Sequence, residues 1–157
     1  ALSAVSTFKP LAHRLETIPT RDGRTWVDDS LATAPEAVVA ALGTFADSPV
    51  TLIAGGADRG VPFDPLIDYL RGRKESKRVE IVAVGPAGAR LVEELGGTRV
   101  KARTVDNFAA ALVYAGEYSD APVVLLSPGA PSFDEFTSYE ERSAAFRAYA
   151  ESREVPA

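Results

Sequence analysis

The sequence predicts an α/β fold with a mostly parallel sheet. Short apolar runs rich in β-branched residues alternate along the chain with segments of helical periodicity, which is the order that βαβ units produce. Glycine, proline and Asp-Gly clusters end these runs, as expected of turns between strands and helices. The chain has 157 residues, of which 46% are hydrophobic, and this is enough for one domain with a sizeable core.

The first elements are a hairpin and a helix. Residues 13–18 and 24–28 flank the turn signal Asp22-Gly23, so they are predicted to form two short strands of a hairpin. A helix is predicted over residues 34–45. Its start signature is Thr33 as the N-cap, Pro35 in the first turn and Glu36 closing a capping box.

The rest of the chain alternates regularly between strands and helices. Strands are predicted over residues 50–54, 79–84, 98–101 and 122–126, and helices over residues 62–71, 87–95, 106–114 and 137–151. Trp26 is predicted to lie in the core. The basic residues between Arg71 and Arg78 are predicted to form a solvated loop between a helix and a strand rather than a binding patch.

Composition and charge exclude several classes of protein. A net charge of −5 argues against a general surface for nucleic acid or for anionic membranes. The chain has no apolar run of about 18 residues, so we expect no transmembrane helix, and no signal-peptide pattern is visible. The absence of cysteine excludes disulfides and fits a cytoplasmic location. The single histidine, His13, excludes a multi-histidine metal site.

The ends of the chain suggest a piece of a longer protein. The sequence contains no methionine, even at position 1. Residues 1–12 contain Ser, Thr and Pro with little periodicity, and they are predicted to be the remnant of an interdomain linker. The domain itself is then expected to span residues 13–157.

The most informative stretch follows the last predicted strand. The strand ends at Ser127-Pro128-Gly129, small and hydroxyl residues follow, and an amphipathic helix begins after Asp134. In open α/β sheets, ligands bind beyond the carboxyl ends of the strands, where such loops lie. Backbone N–H groups and hydroxyls at that place favour a carboxylate or phosphate ligand.

This stretch, LLSPGAPSFDEFTSYEERSAAF, resembles the late motif of the Mur ligases, in particular those that join glutamate to UDP-N-acetylmuramoyl-L-alanine (MurD-like). The residues that match the motif are Ser127, Pro128, Ala130, Ser132, Asp134, Phe136, Tyr139, Arg142 and Phe146. Ser143 stands where the family usually has glycine.

Three earlier segments are similar to the same family. Residues 28–34, DDSLATA, resemble N-D-S-K-A-T-N, with Leu31 in place of the lysine and Ala34 in place of the second asparagine. Residues 55–59 resemble G-G-x-x-K, with Arg59 in place of the lysine, and residues 13–16 resemble H-R-x-E. Taken one at a time, these segments also fit a helix cap, a plain turn after a strand, and surface polar residues.

The resemblance implies a Rossmann-like, three-layer domain with about six strands and helices on both faces of the sheet. It implies that residues 13–157 are the C-terminal, glutamate-binding domain of the ligase. The glutamate-binding residues it implies are Thr33, Arg59, Ser132, Phe133 and Tyr139. The nucleotide-binding residues it implies are Arg14, Asp29 and His13. No catalytic residue and no metal ligand is expected in this part of the ligase.

The resemblance also implies an activity for the whole ligase. ATP and Mg²⁺, bound mainly by a missing central domain, would convert the carboxylate of UDP-N-acetylmuramoyl-L-alanine to an acyl phosphate, which the amine of glutamate then attacks. The chain alone is expected to be inactive without the N-terminal and central domains. Because Leu31 and Ala34 replace the family lysine and asparagine, the resemblance does not decide whether the amino acid is D-glutamate or L-glutamate. The alternative is a stand-alone Rossmann-like module that binds an anionic metabolite or nucleotide.

Overall fold

The computed structural model describes residues 12–154. The predicted linker lies outside the described residues, apart from its last residue. The strands are β1 Glu16–Ile18, β2 Thr25–Asp28, β3 Val50–Gly55, β4 Val79–Val84, β5 Lys101–Thr104 and β6 Val123–Leu126. The helices are α1 Pro35–Thr44, α2 Asp64–Gly72, α3 Gly85–Glu94, α4 Phe108–Val113 and α5 Tyr139–Ser152. A 3₁₀ turn, Glu75–Lys77, precedes β4, and a π-helical turn, Tyr114–Tyr118, extends α4.

The strands form one six-stranded sheet in the order β1-β2-β6-β3-β4-β5. β1 pairs with β2 antiparallel, as the hairpin signal predicts, and all other neighbours are parallel. Strand residues alternate between two buried clusters: Leu52 and Ala54 face one, and Ile53 faces the other. The first cluster includes residues of α1, α2 and α3, and the second includes residues of α4 and α5. The α/β prediction and its three layers are therefore confirmed.

Trp26 anchors the second cluster, as predicted. Its side chain is fully buried, and its ring centroid lies 5.6 Å from that of Phe146 and 5.8 Å from that of Tyr149. The indole N–H donates to Asp22 at 2.9 Å, so the one polar atom of this ring has a partner. This contact also fixes the turn between β1 and β2.

The predicted position of β5 is wrong by three residues. The strand was expected over residues 98–101, but the structure has it at Lys101–Thr104, paired with β4. Thr98 instead donates to the carbonyl of Leu95 through its N–H and its hydroxyl, so this segment belongs to the turn that leaves α3. β5 lies at the edge of the sheet with mostly exposed side chains, and no apolar alternation marks its bounds.

The predicted cap of the first helix is also wrong. Ala34, not Thr33, is the N-cap of α1, and no side chain caps this helix end. The reason is Pro35 at the first helical position: proline holds the preceding residue in an extended conformation, here φ −128° and ψ 150°. The helix therefore begins one residue later than the capping signature predicts. Thr33 stays exposed on the loop.

The basic loop after α2 carries a structural role at one of its residues. Arg73 donates to four backbone carbonyls, those of Leu42, Phe45, Ser48 and Lys77, at distances from 2.6 to 3.0 Å, and to the hydroxyl of Tyr69 at 2.9 Å. These bonds hold the end of α1 to the loop before β4, at the amino ends of the strands. Among the other cations from position 71 to position 78, Arg71, Lys74 and Arg78 are exposed and Lys77 is half-buried.

We expect Arg73→Ala to lower the free energy of unfolding by roughly 2–3 kcal/mol, because hydrogen bonds to a charged group are lost and several carbonyls are left without a partner. Urea unfolding would measure this loss. Arg71→Ala is the matched control, since that arginine lies two residues away in the last turn of α2 with an exposed side chain, and its effect should stay within about 0.5 kcal/mol. Equal effects of the two substitutions would contradict the structural role of Arg73.

Candidate functional site

Three loops meet at the carboxyl ends of the parallel strands. β6 lies between β2 and β3, so the chain reverses its order across the sheet at this point. The N–H of Gly55 donates to the carbonyl of Pro128 at 2.8 Å, which joins the loops after β3 and β6. The N–H of Gly129 donates to the carbonyl of Ala32 at 2.7 Å, which joins the loop after β2. Such a reversal is where open α/β sheets bind their ligands.

The loop after β3 approaches its neighbours so closely that only glycine fits. Gly55 and Gly56 have φ angles of 113° and 139°, in the region that side chains disfavour. A Cβ added to Gly56 would lie 2.2 Å from the carbonyl oxygen of Pro131, and one added to Gly55 would lie 2.0 Å from that of Val84. The glycine pair therefore packs backbone against backbone and brings the loop after β3 close to the end of β4 and to the loop after β6.

Two predicted glutamate-binding residues border one cavity. Thr33 and Arg59 line a cavity of about 130 Å³, together with backbone and side chains of the loops after β3 and β6. Arg59 is exposed, and its guanidinium lies 5.9 Å from the ring centroid of Phe133. Phe133 is 62% exposed although it is aromatic. These three predicted residues therefore lie together, and the cavity is large enough for a small carboxylate.

The other two predicted glutamate-binding residues lie elsewhere. Ser132 is only 2% exposed, and its carbonyl accepts from the N–H of Phe136 at 3.0 Å. A ligand would meet its hydroxyl only with a change in the loop. Tyr139, the first residue of α5, does not line the cavity. Its ring makes an edge contact with that of His13, with the centroids 5.6 Å apart.

The predicted nucleotide-binding residues lie on the other side of the loop after β2. Arg14 and Asp29 line a small cavity of about 40 Å³, and Leu31 lines it as well. The Asp29 carboxylate accepts from the hydroxyl of Ser127 at 2.8 Å and from the N–H of Leu15 at 3.2 Å. Burial raises the pKa of Asp29 above its usual value, and these two bonds only partly oppose the rise.

Asp28 is the centre of a buried polar network. Its carboxylate is fully buried and accepts from the N–H of Ser30 at 3.0 Å, from Arg147 Nε at 3.0 Å and from the hydroxyls of Ser30 and Ser143. Arg147 also pairs with Glu16 at 2.7 Å, and His13 Nδ1 lies 3.2 Å from the carboxylate. Burial alone would raise the pKa of Asp28, but the hydrogen bonds from Ser143 and Ser30 hold it below its usual value.

This pKa predicts how stability depends on pH. Because the folded pKa lies below the unfolded value of about 3.9, the charged carboxylate stabilises the fold above that pH, and the contribution is lost as the pH falls through the folded pKa. Asp28→Asn should therefore be less stable than the natural protein at pH 7, with a difference that shrinks below about pH 4. Urea unfolding at pH 7 and pH 3, with the exposed Asp68→Asn as control, measures it. A difference that stayed constant would contradict the prediction.

Arg142 of α5 is buried between the loops that follow β3 and β6. Its side chain is 2% exposed and donates to the carbonyl of Gly55 at 3.3 Å and to that of Ala130 at 3.1 Å. Burial lowers its pKa to about 10, so the guanidinium remains charged at neutral pH. Its Nε has no hydrogen-bond partner among the described residues. The buried charge thus joins the loops after β3 and β6 to the last helix.

The chain is similar to known enzymes along most of its length. No protein-family model matches it. A protein from a Micromonospora strain, named UDP-N-acetylmuramoyl-L-alanine–L-glutamate ligase, is 43% identical over 145 residues, which is 91% of this chain and 31% of the relative. A Roseiflexus protein named UDP-N-acetylmuramoylalanine–D-glutamate ligase is 40% identical over 151 residues, 95% of this chain and 32% of the relative. The chain is thus a homologue of part of these two glutamate ligases. It spans about a third of the length of these relatives.

Solved structures of Mur ligases share the fold. MurF from Acinetobacter baumannii matches with a TM-score of 0.62 at 19% identity, over 92% of this chain and 32% of that one. MurC from Thermotoga maritima matches with a TM-score of 0.59 at 19% identity, over 92% and 31% of the two chains. The three-layer architecture is thus that of the C-terminal domains of Mur ligases. None of the helices within residues 12–154 is long and apolar enough to cross a membrane.

The sequence reasoning missed the network around Asp28. The signal for it was available, because position 28 is Asp where the family pattern has Asn, just as Ser143 replaces a glycine. Nothing in the sequence shows, however, that these two positions touch. They are 115 residues apart and meet only because α5 packs across the end of β2.

Proposed function

We propose that this chain is the glutamate-binding domain of a ligase that joins glutamate to UDP-N-acetylmuramoyl-L-alanine with consumption of ATP. The observation that carries the proposal is the common cavity of Thr33 and Arg59 at the carboxyl ends of the strands. These two positions come from loops that follow different strands, and both match family positions that bind glutamate. A guanidinium can hold a carboxylate with two parallel hydrogen bonds, and the Thr33 hydroxyl can donate a further one.

In this proposal the domain positions substrates and neutralises charge. The proposed ligase transfers the γ-phosphoryl group of ATP to the carboxylate of UDP-N-acetylmuramoyl-L-alanine. The amine of glutamate then attacks the acyl carbon, an amide bond forms and phosphate leaves. Arg59 would hold the glutamate so that its amine meets the acyl phosphate, and positioning of this kind makes a large contribution to rate. Phe133 would support Arg59 through its ring.

Arg14, Asp29 and His13 are proposed to contact the nucleotide when the domains close. Arg14 and Asp29 share a cavity, and His13 is next to Arg14 in the chain. Within residues 12–154 no three His, Asp or Glu side chains are grouped to hold a metal ion. As the resemblance implies, we place Mg²⁺ mainly with the preceding domains. Residues 13–157 are proposed as one domain, and residues 1–12 as the linker to those domains.

For the amino acid, we propose L-glutamate. Two of the relatives, at 43% and 40% identity, are named L-glutamate ligases. Leu31 and Ala34 also depart from the pattern of the D-glutamate enzymes, and an apolar side chain cannot pair with a carboxylate as the family lysine can. Leu31 lines the cavity of Arg14 and Asp29, not that of Thr33 and Arg59. Its effect on glutamate binding would therefore act through the conformation of the loop after β2, which also carries Thr33.

The test is turnover by the full-length ligase with ATP, Mg²⁺ and UDP-N-acetylmuramoyl-L-alanine. Phosphate release is measured with D-glutamate and L-glutamate in parallel, and we expect turnover with L-glutamate. Turnover with D-glutamate only would overturn the stereochemical assignment. Turnover with neither would favour the second candidate, a module that binds an anionic metabolite or nucleotide. Residues 1–157 alone should show no ligation.

A further inference from the structure

The two departures from the family pattern at positions 28 and 143 lie in direct contact. The hydroxyl of Ser143, on α5, donates to the buried carboxylate of Asp28 at the end of β2. The same hydroxyl lies 2.8 Å from Nδ1 of His13. Arg147, one turn further along α5, donates from Nε to Asp28 at 3.0 Å. Two side chains of α5 and His13, from near the start of the described residues, thus converge on one carboxylate oxygen.

The number of available protons determines that Nδ1 of His13 carries a hydrogen. An ionised carboxylate only accepts hydrogen bonds, and a serine hydroxyl has a single proton to give. The Ser143 hydroxyl donates that proton to Asp28, so in its bond with His13 the Ser143 oxygen acts as the acceptor. The nitrogen that faces Ser143 must therefore carry a hydrogen. In the neutral imidazole this leaves Nε2 as an acceptor, and Nε2 has no hydrogen-bond partner within residues 12–154.

The backbone around His13 is held as firmly as its ring. His13 has φ 64°, which is rare for a residue with a side chain. Its N–H donates to Glu16 at 3.1 Å, and its carbonyl accepts from the N–H of Leu31 at 3.1 Å. The edge contact with Tyr139 holds the ring from the other side. Strained backbone of this kind persists only where the surroundings fix it, and it is common at ligand sites.

We propose that Asp28 and Ser143 are positioning residues that keep His13 in the Nδ1–H form and present Nε2 to a hydroxyl group of the nucleotide. The nucleotide as the ligand rests on the proposed function, whereas the protonation of His13 does not. Neutral Nε2 accepts a hydrogen bond, which suits a ribose hydroxyl and not a phosphate oxygen. The chain would thereby bind the ribose of ATP through the network of Asp28, Ser143 and His13, which the family pattern lacks.

The first test is the tautomer of His13 in the full-length protein, labelled with ¹⁵N at histidine and observed by NMR at pH 8, above the ordinary histidine pKa of about 6.5. His13→Gln assigns the signal. We expect the Nδ1–H form in the natural protein and a shift toward the Nε2–H form in Ser143→Ala. Ser152→Ala, in the same helix but bonded only to Tyr149, is the control and should change nothing. An Nε2–H form in the natural protein, or no change in Ser143→Ala, would overturn the proposal.

The second test measures ATP affinity by equilibrium titration. Ser143→Ala should weaken ATP binding roughly threefold to tenfold, the loss of about one hydrogen bond, and leave the KM for glutamate within about twofold. The loss of affinity caused by Ser143→Ala should be smaller for at least one of 2′-deoxy ATP and 3′-deoxy ATP than for ATP, because the analogue lacks the hydroxyl that Nε2 would bind. If Ser143→Ala changed the tautomer of His13 but not the affinity for ATP, the proposal that Nε2 is presented to the nucleotide would be overturned. The NMR readout needs no turnover, so it remains decisive even if the proposed ligase activity is wrong.

Discussion

Gly55→Ala is expected to lower the free energy of unfolding by roughly 3–5 kcal/mol, a large part of the total stability of an ordinary domain. The new Cβ would lie 2.0 Å from the carbonyl oxygen of Val84 and 3.0 Å from the Cα of Gly88, both of them backbone atoms that no rotamer change can move. The φ of 113° adds strain of its own. Urea or thermal unfolding of the two proteins measures the loss.

Gly43→Ala is the matched control for this substitution. Gly43 lies in α1, where no atom comes within 4 Å of an added Cβ, and alanine is a better helix former than glycine. It should leave stability unchanged or raise it by up to about 1 kcal/mol. If Gly55→Ala proved as stable as Gly43→Ala, the close approach of the end of β3 to the end of β4 would be wrong.

Arg59→Ala is expected to raise the KM of the full-length ligase for glutamate roughly tenfold to a hundredfold, with the KM for ATP within about twofold. The physical reason is that Arg59 lines the cavity with Thr33 and forms no ion pair with a carboxylate among residues 12–154. The other cation there, Arg90, pairs with Asp58 and Glu94 at 2.9 Å each. Steady-state kinetics with each substrate varied in turn measures the two KM values.

Two further variants make the Arg59 result specific. Arg59→Lys restores the residue of the family pattern and keeps the charge, so it should recover most of the glutamate affinity. Arg71→Ala removes an exposed cation from the last turn of α2, which does not line this cavity, and should change neither KM. Equal increases in the KM for glutamate and for ATP in Arg59→Ala would count against the assignment of this residue to glutamate.

The sequence predicted most elements of the fold and failed where burial gives no signal. β3 and β4 are buried along almost their whole length, and their continuous apolar runs indicated strands within one residue of the observed bounds. β5, at the exposed edge, was placed three residues too early. The cap of α1 was missed because the conformational effect of Pro35 outweighed the side-chain signature of Thr33.

For the candidate site, the resemblance supplied the residues but not their arrangement. Thr33, Arg59 and Phe133 lie together, whereas Tyr139 lies beside His13, in the group assigned to the nucleotide. Since α5 begins with Tyr139 and crosses the end of β2, the same helix serves both sides of the site. The residue roles remain predictions that the kinetic variants above test.

The sequence by itself determined the alternation of strands and helices, the burial of Trp26 and the polar loops that follow the strands, because periodicity and turn chemistry act over a few neighbouring residues. Only the tertiary structure decided that β6 inserts between β2 and β3 and that Asp28 meets Ser143 and His13. The parallel pairs of β6 and the bonds of Ser143 join residues that are 73 to 130 positions apart. Their geometry depends on strand order and helix packing, which no local pattern records.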